Sequence, residues 1–148
     1  MTDNGAFESF RRAETLLGQR RPLDALRELE AVVQAAPDAP SVHLLAGRAY
    51  FGSAQLQRAE LAFLRVLELD PSDHYARFAL GRTLHRQGRL TEARTQLRMA
   101  VAMNPLPEYQ EACGEVSARI ALSGQDSNNG SNGGGPNGGP TVGEHDQN

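Results

Sequence analysis

HLLAGRAYFGSAQLQRAELAFLRVLELDP, residues 43–71, and RFALGRTLHRQGRLTEARTQLRMAVAMNP, residues 77–105, are two copies of one pattern. Each has a glycine (Gly47, Gly81), then an alanine (Ala59, Ala93), then a large apolar residue (Phe63, Leu97), then a closing proline (Pro71, Pro105). A weaker copy precedes them, with Ala13, Ala25, Leu29 and Pro37 in the same slots. Every slot recurs at a step of 34 residues, and Leu16, Tyr50 and Leu84 keep that step too. With 8 prolines in 148 residues, two further prolines at preset places arise by chance in about 0.3% of cases, so the period is built in.

Within each copy the apolar residues recur at steps of three and four, the signature of amphipathic helices. Phe7, Phe10, Ala13 and Leu17 make one such stripe, and Leu26, Leu29, Val32 and Val33 another. Pro22 suits the first turn of a helix, where its missing N–H is unpaired anyway. Ser41 is the expected N-cap of the third helix, and Ser72 or Asp73 that of the fifth. Gly88 is expected to turn the chain in a left-handed conformation, with a looser turn over residues 52–54. Residues 108–122 read as one more helix, with Ala112, Cys113, Val116 and Ile120 on its apolar side. Val116 and Ile120 are expected to cover the face that the sixth helix leaves open.

The organisation expected is an all-α solenoid of antiparallel helix pairs. Residues 1–5 would fray; residues 6–39, 40–73 and 74–107 would be three repeats; residues 108–122 would be a capping helix. Residues 123–148 are mostly Gly, Asn and Ser. Such a segment buries too little apolar surface to offset its ordering entropy, so a disordered tail is expected.

Charge and cysteine content narrow the function. All 15 basic residues are arginine, against 18 acids. Residues 1–122 are neutral, and Asp126, Glu144 and Asp146 supply the whole net charge of −3. No basic excess exists to neutralise phosphates, so a nucleic-acid partner is not expected. No apolar run is long enough for a membrane span. A single cysteine, Cys113, and a polar start without a leader pattern point to a cytoplasmic protein. His43, His74, His85 and His145 show no metal-ligand spacing. No phosphate loop or nucleophile set is present. The reading is therefore non-enzymatic, with no cofactor and no metal.

This unit resembles the tetratricopeptide repeat family, whose pattern runs aromatic-x-x-L-G-x-x-Y, then A-x-x-x-F, then P. Here it reads His43-x-x-Ala46-Gly47-x-x-Tyr50, Ala59-x-x-x-Phe63 and Pro71, then Arg77-x-x-Leu80-Gly81-x-x-Leu84, Ala93-x-x-x-Leu97 and Pro105. The first unit reads Ser9-x-x-Arg12-Ala13-x-x-Leu16, Ala25-x-x-x-Leu29 and Pro37. The aromatic slot thus holds Ser9, His43 and Arg77. The resemblance implies a binding scaffold in which the first helix of each unit lines a concave groove. Its positions here are Phe7, Phe10, Glu14 and Leu17, then Leu44, Arg48 and Phe51, then Tyr75, Phe78, Arg82, His85 and Arg86. Tyr109 and Arg119 extend the register into the last helix. Arg48 and Arg82 occupy equivalent places and should lie side by side. Arginine grips carboxylates in a bidentate way, so an acidic peptide with large apolar anchors is the expected partner. Family members that clamp a C-terminal carboxylate do so with a Lys/Asn/Arg set. The equivalent places here hold Phe10, Glu14, Leu45, Tyr75 and Ala79, so that clamp is not expected. The alternative is a self-associating structural part, in which solenoid ends stack or grooves pair, or an accessory subunit of a larger assembly.

Overall fold

The computed structural model describes residues 3–129 and Gly139. Seven α-helices and no strand occur among them: α1 Asp3–Gly18, α2 Pro22–Ala35, α3 Pro40–Gly52, α4 Leu56–Leu69, α5 His74–Arg86, α6 Leu90–Met103 and α7 Pro107–Asn129. α1 packs on α2, α3 on α4 and α5 on α6; α2 then packs on α3, α4 on α5, and α6 on α7. Short turns join the partners, so the fold is the expected α-solenoid of helix pairs. α1 also touches α3, α3 touches α5 and α5 touches α7, whereas α2, α4 and α6 keep apart. The odd-numbered helices are the crowded inner layer and the even-numbered ones the splayed outer layer.

The repeat slots account for this packing. Ala25, Ala59 and Ala93 have no exposed surface, and Leu29, Phe63 and Leu97 are buried one turn further on. Across from them stand Ala13, Gly47 and Gly81. A methyl group at Gly47 would lie 2.5 Å from the Phe63 ring, and one at Gly81 would lie 2.7 Å from Leu97 Cγ. The absent side chain is what lets each first helix come down onto its partner. Each buried Leu or Phe contributes about 1.5–3 kcal/mol. Two apolar clusters result, one in the first half of the stack and one in the second, and Tyr50 packs against both.

One turn is used three times. Arg20, Ala54 and Gly88, 34 residues apart, all have positive φ, at 60°, 60° and 77°. Arg21, Gln55 and Arg89 donate their backbone N–H to the carbonyls of Leu16, Tyr50 and Leu84. Arg20, Ala54 and Gly88 donate to Leu17, Phe51 and His85. This is the Schellman pattern, which satisfies helix-end carbonyls. The turn over residues 52–54 is therefore as defined as the one at Gly88.

The residues of the aromatic slot make hydrogen bonds. His43 Nε2 lies 2.6 Å from the Pro37 carbonyl, and Arg77 Nη2 lies 3.5 Å from the Pro71 carbonyl. Each ties the start of a unit to the loop that closes the unit before. Ser9 is buried and accepts from Arg12 Nη2 at 3.1 Å.

Some local expectations change. Pro40 is the first residue of α3 and Ala39 its N-cap, with no side-chain cap bond, so Ser41 does not cap. Asp73 does cap α5, accepting from the Ala76 N–H at 2.9 Å. α1 begins at Asp3, so residues 3–5 are helical where fraying was expected. α7 runs seven residues past Leu122, into residues whose composition was expected to belong to the tail. The rest of the expected tail, residues 130–148 apart from Gly139, lies outside the described residues. Val116 of α7 is buried in the second cluster as expected, with Ile120 packed against the same cluster. Cys113 is only half-buried at the same interface.

Candidate functional site

The inner layer brings part of the expected stripe to one place. Arg48 and Phe51 of α3 and Tyr75, Phe78 and Arg82 of α5 line a cavity of about 260 Å³. Arg48 and Arg82 therefore share a single site. Leu17 of α1 closes one side, and Phe63 and Ala79 complete the lining. Phe63 reaches this layer from α4 because Gly47 offers no side chain to stop it.

The aromatic rings hold the cations. The Arg82 guanidinium stands 5.2 Å from the Phe51 ring centre and 5.6 Å from that of Phe78. Arg86 stands 4.8 Å from the Phe51 ring centre and donates Nη1 to the Phe51 carbonyl at 3.5 Å. Such stacking contributes about 0.5–1 kcal/mol at exposed sites and leaves the N–H groups free to bind anions. Among the described residues, Arg48, Arg82, Arg86 and Arg119 have no carboxylate within ion-pair distance. Arg11, Arg12, Arg21, Arg27, Arg65 and Arg89 each do. Arg89 is the extreme case. Hydrogen bonds to Glu92 and Glu60 raise its pKa, and it lies away from the cavity. The pocket thus carries positive charge that the protein itself does not neutralise.

The remaining groove positions lie elsewhere. Phe7 is exposed with Arg11 at 6.0 Å from its ring. Glu14 is exposed and 4.0 Å from Arg11, so it does not face Arg48 as a partner. Phe10 and Leu44 are half-buried against the two core clusters. His85 lies 3.4 Å from Arg119 Nη1 of α7, which extends the cationic strip beyond the pocket.

Tyr109 is not a groove residue. It is only 1% exposed and stacks on Phe78, with ring centres 4.6 Å apart at 24°. Its hydroxyl meets His74 Nδ1 at 2.8 Å. Burial raises its pKa above the ordinary phenol value. α7 pairs with no following helix among the described residues, and its register positions turn inward to close the stack. Phe78 is consequently the floor of the pocket, with little surface of its own.

A stack of paired helices with a lined inner face defines a helical-repeat protein of the interaction type. Residues 10–73 and 44–106 match the tetratricopeptide repeat model, and the chain belongs to that family. The first such domain of Spaghetti (RPAP3), solved with the HSP90 peptide SRMEEVD, superposes with a TM-score of 0.76 at 18% identity. The match covers 82% of this chain and 97% of that one. MamA gives a TM-score of 0.75 at 18% identity, over 83% of this chain and 72% of that one. At such identities the likeness concerns the fold alone. A MamA fragment from Desulfovibrio magneticus RS-1 is 30% identical, with a TM-score of 0.63, over 66% of this chain and 55% of that one. No curated protein matches the chain. No helix of the described residues is long and apolar enough to cross a membrane.

Proposed function

We propose that this protein is a non-catalytic interaction scaffold that holds a short peptide segment in the groove formed by α1, α3, α5 and α7. The peptide is acidic and carries one or two large apolar side chains. The observation that supports this most directly is the pocket shared by Arg48 and Arg82, with walls of Phe51 and Tyr75, a floor of Phe78 and, among the described residues, no carboxylate partner for either arginine. An apolar side chain of Leu, Met or Phe size enters between the rings, and the arginines take carboxylates on either side of it. A structural neighbour was solved with a peptide that joins Met and Val to Glu and Asp. Affinity for a segment this small falls in the range of roughly 1–100 µM.

The test is a selection from a random peptide library displayed on phage, using the full chain as bait. Enriched sequences should pair a large apolar residue with nearby Asp or Glu. Enrichment without acidic residues, or none at all, would refute the reading.

A further inference from the structure

Three clefts repeat along the stack. Leu16, Arg21 and Asp24 line the first, Tyr50, Gln55 and Arg58 the second, and Leu84, Arg89 and Glu92 the third, each 34 residues after the last. The second is filled from one side by α2, whose Leu26, Leu29 and Val33 face Ala46 and Tyr50. The third is filled likewise by α4, whose Glu60 and Leu64 face Leu80 and Leu84. The repeat thus shapes this cleft to receive a helix of the preceding unit. The first cleft, about 550 Å³ between α1 and α2, has no such helix among the described residues.

Its chemistry also differs. The slot of Ala46 and Leu80 holds Arg12, and Arg11, Arg21 and Arg27 stand around it. Asp24 and Glu28 are the acids there and Glu14 stands 4.0 Å from Arg11, so the four arginines exceed these three acids by one. The missing helix should therefore be acidic. α7, at the other end of the stack, presents such a face. Glu108, Glu111 and Glu115 are exposed at helical spacing and make no ion pair among the described residues. The slot that holds Gly47 and Gly81 holds Glu115 in α7, which bars a further partner helix of the same kind. On the same stripe Leu122 is 60% exposed.

We propose that the cleft between α1 and α2 receives α7 of a second copy of the chain, so that copies stack end to end. The carboxylates of Glu108, Glu111 and Glu115 face Arg11, Arg12 and Arg27, and Leu122 adds apolar contact with Leu16. The contact joins unlike surfaces, so it adds copies head to tail and does not stop at a two-fold dimer. It is small and charged, so it is weak and screened by salt. The inner pocket stays open in such a row, and the peptide reading stands or falls separately.

Sedimentation velocity of the full chain tests this across concentration. At about 0.05 M salt the average mass should rise with concentration to at least double the 16.0 kDa monomer, and at about 0.5 M it should return to the monomer. Two charge reversals sharpen the result. Arg11→Glu with Arg27→Glu makes both ends acidic, and Glu111→Arg with Glu115→Arg makes both ends basic. Each variant alone should stay monomeric, and a mixture of the two should assemble. These side chains are exposed, and circular dichroism checks that both variants fold. A native chain that stays monomeric at low salt, or a mixture that does not assemble, overturns the proposal.

Discussion

Tyr109 of α7 stacks on Phe78 of α5 at 4.6 Å, so the helix that ends the stack also builds the floor of the inner pocket. Tyr109 is held further by His74, which faces Asn104 at 3.4 Å on its other nitrogen. Removal of the hydroxyl by Tyr109→Phe should cost about 1 kcal/mol, whereas Tyr109→Ala should cost about 3–5 kcal/mol. Thermal melts monitored by circular dichroism distinguish the two.

The same residue gives a pH dependence. Burial raises the Tyr109 pKa in the folded chain. Above the ordinary phenol value of about 10 the unfolded chain releases this proton while the folded one keeps it. Its contribution is thus complete below that pH and is lost as pH rises toward the folded value. In urea melts the native chain should lose stability in this alkaline window faster than Tyr109→Phe does. Parallel curves would show that the hydroxyl is already solvated.

Arg20 and Ala54 occupy the left-handed position that Gly88 fills in the third turn. A side chain there costs roughly 1–2 kcal/mol that glycine avoids. Arg20→Gly and Ala54→Gly should each stabilise the fold by up to about 1 kcal/mol, since glycine also gains entropy in the unfolded chain. Gly88→Ala should destabilise by a similar amount. Denaturant midpoints with an unchanged slope would establish all three.

Gly47 is the reverse case, since a methyl there overlaps the buried Phe63 ring. Gly47→Ala gains about 1 kcal/mol of helix propensity but strains the core by about 1–3 kcal/mol, so a net loss is expected. Phe63→Leu should absorb part of that strain. A double-mutant cycle should return a coupling of about 0.5 kcal/mol or more. Additive effects would mean that the helices separate without resistance.

Deletion of residues 108–148 removes Tyr109 from Phe78 and strips α7 from α6, and should lower the melting temperature sharply. Deletion of residues 123–148 leaves Tyr109, Val116 and Ile120 in place and should shift it by about 2 °C or less. A large drop from the shorter deletion would mean that the end of α7 makes contacts that matter to the fold.

The fold was legible because its determinants are slots with a fixed step. Ala59, Phe63 and Pro71 predict their counterparts Ala93, Leu97 and Pro105 without any knowledge of contacts. The third left-handed turn was legible from Gly88, but Arg20 and Ala54 hid its two equivalents behind residues that normally avoid that conformation. The step of 34 could have revealed them. Side-chain direction in α7 was not legible. Tyr109 continues the groove register of Tyr75, yet α7 has no partner helix among the described residues and turns that position into the core. Phe63 was missed as a pocket residue because it belongs to the outer layer and reaches the inner one only past Gly47. The pairing of Glu14 with Arg11 was available from their spacing of three.

The central claim is that Arg48 and Arg82 act together on an acidic, apolar-anchored peptide. It is tested most directly by isothermal titration of one library-selected peptide against the full chain and against Arg48→Glu with Arg82→Glu. Loss of two charge-assisted contacts should weaken binding at least about tenfold, while the fold loses only the roughly 0.5–1 kcal/mol of the Arg82 contacts with the Phe51 and Phe78 rings. Equal affinity for both proteins would contradict the account.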